Sequence, residues 1–223
     1  MKTIGYYISL FRGMLEEFTR SEPYTDEFLY GVLSVCRAEV IKQRLDKFVN
    51  VSYDNWFRIC FTLEVTTSHN CNCVPAYLGC KVLRTVQKVP QVLSGRNKSK
   101  LQVSLLDGTN INIVTEAEWM RVKDNEFKSR FYYGSWINGH LYFWNLPLNL
   151  KIVEVYGLFA DPAKLADISC NENSLTSCPD VYSFGFPIDE ELGRTMLRMA
   201  MEMLQYSLQN VADKTNDNNE DIR

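Results

Sequence analysis

The chain has 223 residues, 46% of them hydrophobic, with 24 Lys and Arg against 27 Asp and Glu and a formal net charge of −3. That length allows one sizeable core, or one core carrying an insertion. The acidic balance argues against a generic nucleic-acid binder, which needs clustered excess Lys and Arg to neutralise phosphates.

The first predicted element is a helix over Thr3–Thr19, where Ile4, Tyr7, Ile8, Phe11, Leu15 and Phe18 recur at helical spacing. Arg12 follows the apolar run Ile4–Phe11 with no small-residue cleavage site, so no signal peptide is expected and the chain should fold in a cytoplasm. Pro23 breaks this helix. Thr25 is placed to cap a second helix out to about Lys47, with Asp26 and Glu27 in the first turn, where the helix dipole favours acids. Phe28, Leu29, Val32, Leu33, Cys36, Val40 and Leu45 mark its apolar face.

The pattern changes near Trp56. Arg58–Thr67 alternates Ile59, Phe61, Leu63 and Val65 against polar neighbours, which predicts a one-sided strand. Lys81–Gln87 reads as a short strand and Lys88–Lys100 as a loop broken by Pro90, Gly95 and Asn97. Leu101–Leu106 and Thr109–Thr115 flank Asp107-Gly108, a hairpin signal, and Glu116–Val122 reads as one helical turn.

The stretch Ser129–Pro162 is the densest in aromatics. Phe131, Tyr132, Tyr133 and Trp136 lead into Asn138-Gly139, a dipeptide that tolerates the positive φ angles of a tight hairpin, and Leu141–Trp144 returns. Ile152–Phe159 predicts a third strand completing this unit. A weakly patterned loop follows, with a turn of helix near Ala163–Ile168. Ile188–Ala212 is the strongest helix, apolar around much of its circumference, and Asp213–Arg223 is a polar tail.

The expected fold class is therefore α+β: a helical bundle, made of two N-terminal helices and one long C-terminal helix, with an inserted antiparallel β-domain. The expected organisation is residues 1–50 for the helical pair, 51–162 for the β-domain, 163–212 for a loop and a helix packing back on the pair, and 213–223 for a flexible tail.

Chemistry is sparse. There are two histidines and no phosphate loop, nucleophile elbow or paired-His motif, so neither an enzyme nor a cofactor is expected. His140 directly follows the hairpin glycine and reads as a turn-flanking residue. Seven cysteines at irregular spacing read as reduced thiols rather than a disulfide framework. His69, Cys71, Cys73 and Cys80 form the one metal-like group. In an extended strand His69, Cys71 and Cys73 would share a face, but the usual two-residue gap within a Cys pair is missing. The readings are a structural zinc or plain thiols, and the expectation is no metal.

Between Val65 and Leu106 there is no acidic residue, while Lys81, Arg84, Lys88, Arg96, Lys98 and Lys100 add six positive charges. This is either a solvated loop or a contact surface for an acidic neighbour or for passing DNA. The aromatic hairpin is either core or oligomer interface, or a stacking platform for sugars or bases.

Three stretches resemble the neck, or head-to-tail connector, ring proteins of tailed phages, especially those of crAss-like podophages. They are Gly79–Thr85 with Lys88-Val89-Pro90, then Ser104–Thr109, then Phe127-Lys128 running through Asn138–Phe143 to Ile152–Asp161. The resemblance covers roughly Thr3–Asp161. Glu116–Met120 departs from the family, where a more Pro- and Tyr-rich run is expected.

The resemblance implies a non-enzymatic virion protein whose copies form a ring, usually twelve-fold, beneath the portal. Its partners would be itself, the portal, other neck or tail proteins and, without specificity, the DNA in the channel; no membrane partner is expected. The expected assembly surface draws on Arg84, Lys88, Arg96, Lys98 and Lys100, and on Met196, Met199 and Met203 of the last helix. The alternative is a glycan- or receptor-binding virion module using the aromatic hairpin.

Overall fold

The computed structural model describes residues 1–16, 24–47, 49–66, 81–95, 101–122, 125, 127–128, 130–171 and 180–216. It is a mixed α/β fold with five α-helices and seven strands among those residues. The chain divides into two compact units, Met1–Asn55 with Asp180–Arg223, and Trp56–Pro179.

The first unit holds α1 (Ile4–Glu16), α2 (Asp26–Asp46) and α5 (Glu190–Asn216). Thr25 caps α2 as its residue type predicts, its Oγ1 accepting the Phe28 N–H at 3.3 Å. Helix α2 packs against α1 and α5. Their apolar faces bury Phe11, Leu29, Leu33, Ile41, Met196 and Ala200, and the interior also takes in Arg37 completely. That guanidinium donates from Nε to the Pro187 carbonyl at 2.9 Å and from Nη2 to the Asn55 carbonyl at 3.3 Å, and lies 5.6 Å from the Phe186 ring centroid. A buried cation persists when such acceptors replace its water. Helix α5 continues through Asn216, so Asp213–Asn216, assigned to the tail on composition, are helical; residues 217–223 lie outside the described ones.

The second unit is a closed barrel. Its strands are β1 (Phe57–Thr66), β2 (Val82–Thr85), β3 (Leu101–Ser104), β4 (Asn110–Ile113), β5 (Tyr133–Ile137), β6 (His140–Trp144) and β7 (Ile152–Gly157), in the order β1-β2-β6-β5-β4-β3-β7. Two expectations are corrected. The β-domain is not wholly antiparallel, because β4 and β5 run parallel, Asn112 opposite Tyr133 and Ile113 opposite Gly134. Parallel neighbours need a crossover rather than a tight turn, and α3 (Glu116–Val122) lies in that connection. The third strand of the aromatic unit does not join its hairpin either: β7 inserts between β1 and β3, antiparallel to both.

Alternation sorts the barrel residues onto two faces. Ile59, Phe61, Leu63, Leu83, Val103, Ile111, Leu141, Phe143, Val153 and Val155 are buried and face one another through the register. Gly134 belongs to this set because a Cβ there would come within 3.0 Å of Ile113 and Phe143. The opposite face of β2, β5 and β6 carries a second apolar cluster of Val82, Tyr133, Tyr142 and Trp144, covered by Trp119 of α3. A reciprocal cap starts that helix: the Glu118 carboxylate accepts the Thr115 N–H at 2.8 Å, and Thr115 Oγ1 accepts the Glu118 N–H at 3.3 Å. Helix α4 (Ala163–Asn171) follows the barrel and touches β1.

Candidate assembly surfaces

The residues singled out from sequence divide between the two units. Arg84 is no free cation: on β2 it stands opposite Glu64 of β1 and donates from Nε to its carboxylate at 2.6 Å. Lys88 is exposed, and its stem lies 3.5 Å from where a Cβ of Gly139 would sit. Arg96, Lys98 and Lys100 lie outside the described residues, as do His69, Cys71, Cys73 and Cys80. On α5, Met196 is fully buried, Met199 is half-buried and Met203 is 50% exposed. Met196 therefore belongs to the core of its own unit. A helix apolar on several sides does not reveal which side faces inward.

The aromatic hairpin is built as its turn residues predict, with Asn138 at φ 52° and Gly139 at φ 86° joining β5 to β6. His140 Nδ1 lies 2.8 Å from the Thr85 carbonyl oxygen, tying the turn to β2. Tyr133, Tyr142, Phe143 and Trp144 are buried, so these rings present no stacking platform.

Exposed aromatics lie at and just before the start of this aromatic stretch, whose Phe131 the sequence groups with the hairpin rings. Phe127 is 85% exposed and Phe131 57% exposed, in the connection between α3 and β5. Their backbone is held in successive turns. The Asn125 side-chain oxygen accepts the N–H groups of Phe127 and Lys128 at 3.0 and 3.3 Å. Phe131 N–H donates to the Lys128 carbonyl at 3.2 Å, which also accepts the Tyr133 hydroxyl at 3.0 Å. Asn145, at φ 64°, donates its amide to the Phe131 carbonyl at 3.2 Å. Lys128 and Arg130 are exposed beside the two rings. The available signal was Asn125-x-Phe127-Lys128, a side chain able to accept backbone N–H bonds two and three residues on.

The helical unit carries an acidic aromatic patch at the start of α2. Tyr24 and Phe28 stack at 5.3 Å, and Phe28 is 45% exposed. Asp26 is paired with Arg12, while Glu27 and Asp180 are exposed. Burial first, and then the fields of Asp26, Glu27 and Asp180, hold the Tyr182 phenol above its ordinary pKa. On another side, Met14, Leu197 and Met201 help line an open groove of about 500 Å³. The charges on its rim are internally matched, Arg194 with Glu190 at 2.6 Å and Arg198 with Glu202 at 3.8 Å.

The residues gathered above form surfaces of the two units. Comparison with known proteins gives them a setting. The family model described as phage tail ring protein 2, of the crAss ring group, matches residues 14–222. The chain belongs to that family. No curated protein matches it. The family match takes in residues of both units, and a ring family implies self-association and a structural place in the virion. No helix among the described residues is long and apolar enough to cross a membrane.

Proposed function

We propose that the chain is a subunit of a ring at the head-to-tail junction of a tailed phage. Twelve copies close beneath the portal, extend its DNA channel and offer the tail a docking surface. In this reading the three long helices act as a bundle and the barrel as the domain inserted into it. The observation that carries the reading is the family match over residues 14–222.

The physical chemistry agrees. A ring of identical subunits needs two different patches per subunit, because a head-to-tail contact joins unlike surfaces. The described residues offer exposed aromatics on the barrel unit and on the helical unit. A net charge of −3 disfavours DNA adhering to a channel through which it must pass. The role is structural rather than catalytic. The glycan-binding alternative is weakened because Tyr133, Tyr142, Phe143 and Trp144 of the hairpin are buried, leaving Phe131 as its most exposed ring.

The test is co-sedimentation of purified chain with isolated portal-bearing heads, alongside electron microscopy of the chain alone. Closed rings that pellet with heads support the junction. Rings that ignore heads place the protein elsewhere in the tail.

A further inference from the structure

We propose that neighbouring copies in the ring join by seating Phe127 and Phe131, with Lys128 and Arg130, on the acidic aromatic patch at the start of α2 of the next copy. The inference rests on the ring reading and names its contact. Three observations carry it.

The first is order. The backbones of Phe127, Lys128 and Phe131 are held by hydrogen bonds with Asn125, Tyr133 and Asn145, yet both phenylalanines project from the surface. A pre-organised knob loses little conformational freedom on docking, and aromatic and Arg side chains are the usual anchors of interface cores.

The second is charge. Among the described residues neither Lys128 nor Arg130 is in an ion pair, and neither Glu27 nor Asp180 is. Lys128 and Arg130 flank the exposed phenylalanines with positive charge, and Glu27 adjoins Phe28 of the Tyr24–Phe28 stack with negative charge. Opposite potentials steer association and fix register. The groove over Leu197 and Met201, with its matched rim charges, lacks such a field.

The third is topology. The knob belongs to the barrel unit and the patch to the helical unit. A contact between unlike surfaces is heterologous, the kind that generates rings, whereas a patch pairing with itself would stop at a dimer.

The experiment is a charge swap read by mass photometry at low salt. One variant carries Lys128→Glu and Arg130→Glu; the other carries Glu27→Lys and Asp180→Lys. Each alone should need about tenfold more protein to assemble. Mixed in equal amounts they should regain rings, because each reversed knob then meets a reversed patch. Wild-type rings with both variants assembling normally, or a mixture that fails to recover, would overturn the contact and leave the ring. A wild-type chain that stays monomeric would overturn both. Asp180 also accepts the Tyr182 N–H at 3.2 Å, so thermal melts accompany the second variant. If that variant unfolds, Phe127→Ala decides, since its side chain is exposed. An unchanged melt with assembly weakened about tenfold supports the contact, and unchanged assembly refutes it.

Discussion

Asn55 and Asp189, 134 residues apart, hold each other reciprocally: the Asn55 amide donates to the Asp189 carboxylate at 2.7 Å, and its side-chain oxygen accepts the Asp189 N–H at 2.9 Å. Asp189 in turn caps α5, its other carboxylate oxygen accepting the Leu192 N–H at 2.8 Å. Arg37 binds the carbonyls of Asn55 and Pro187. The residues just before the chain enters β1 and just before α5 begins are thus fastened together inside the helical unit.

Replacing Asn55 by Ala removes both bonds to Asp189 and leaves half-buried polar groups of Asp189 without those partners. The expected loss is about 2 kcal/mol, read as a lower denaturant midpoint for the helical unit. An unchanged midpoint would show that the link is dispensable.

Gly139→Val tests the hairpin. A Cβ there would find the Lys88 stem at 3.5 Å, an ordinary contact, so the cost lies in the backbone at φ 86° rather than in crowding. The expected loss is more than ~1 kcal/mol of barrel stability. Shortening Lys88 to Ala should not relieve it, and relief would point to crowding instead.

Trp119→Ala tests the cluster beneath α3. Trp119 stacks on Trp144 at 4.9 Å and lies 5.4 Å from Tyr133. Truncation should cost about 3 kcal/mol, and Trp119→Phe distinctly less. Equal midpoints for the wild type and the Ala variant would mean that α3 contributes nothing to the barrel.

Local chemistry was the part of the fold legible in sequence. Thr25, Asn138-Gly139 and Asp107-Gly108 specify caps and turns through their own conformational preferences, and the structure places each where its type predicts. Pairing partners were not legible. The parallel β4–β5 contact and the seat of β7 between β1 and β3 depend on which distant strands close the barrel, and alternation gives a strand's faces without its neighbours. Arg37 could not be read as core because charge ordinarily signals surface, and its acceptors lie 18 and 150 residues away. Of the assembly residues, Arg84 was sound as a cation but blind to Glu64, its cross-strand partner.

Alkaline pH should weaken the helical unit. Burial raises the Cys36 thiol and the Tyr7 phenol above their ordinary values of about 8.5 and about 10. The folded chain therefore keeps these protons to higher pH than the unfolded chain. The associated stability is complete below the ordinary values and is lost as pH rises through the raised ones. Tyr7→Phe should flatten the fall above about pH 10, where the phenol contributes. Identical slopes for wild type and variant would contradict this origin.

The central claim is a structural ring at the head-to-tail junction, and cryo-electron microscopy of assembled virions tests it most directly. The account predicts a closed, twelve-fold ring between portal and tail into whose density the barrel and helical units fit, with Phe127 of each copy against the Tyr24–Phe28 stack of the next. A junction containing no copy of this chain, with the protein found at the far end of the tail or outside the particle, would contradict it.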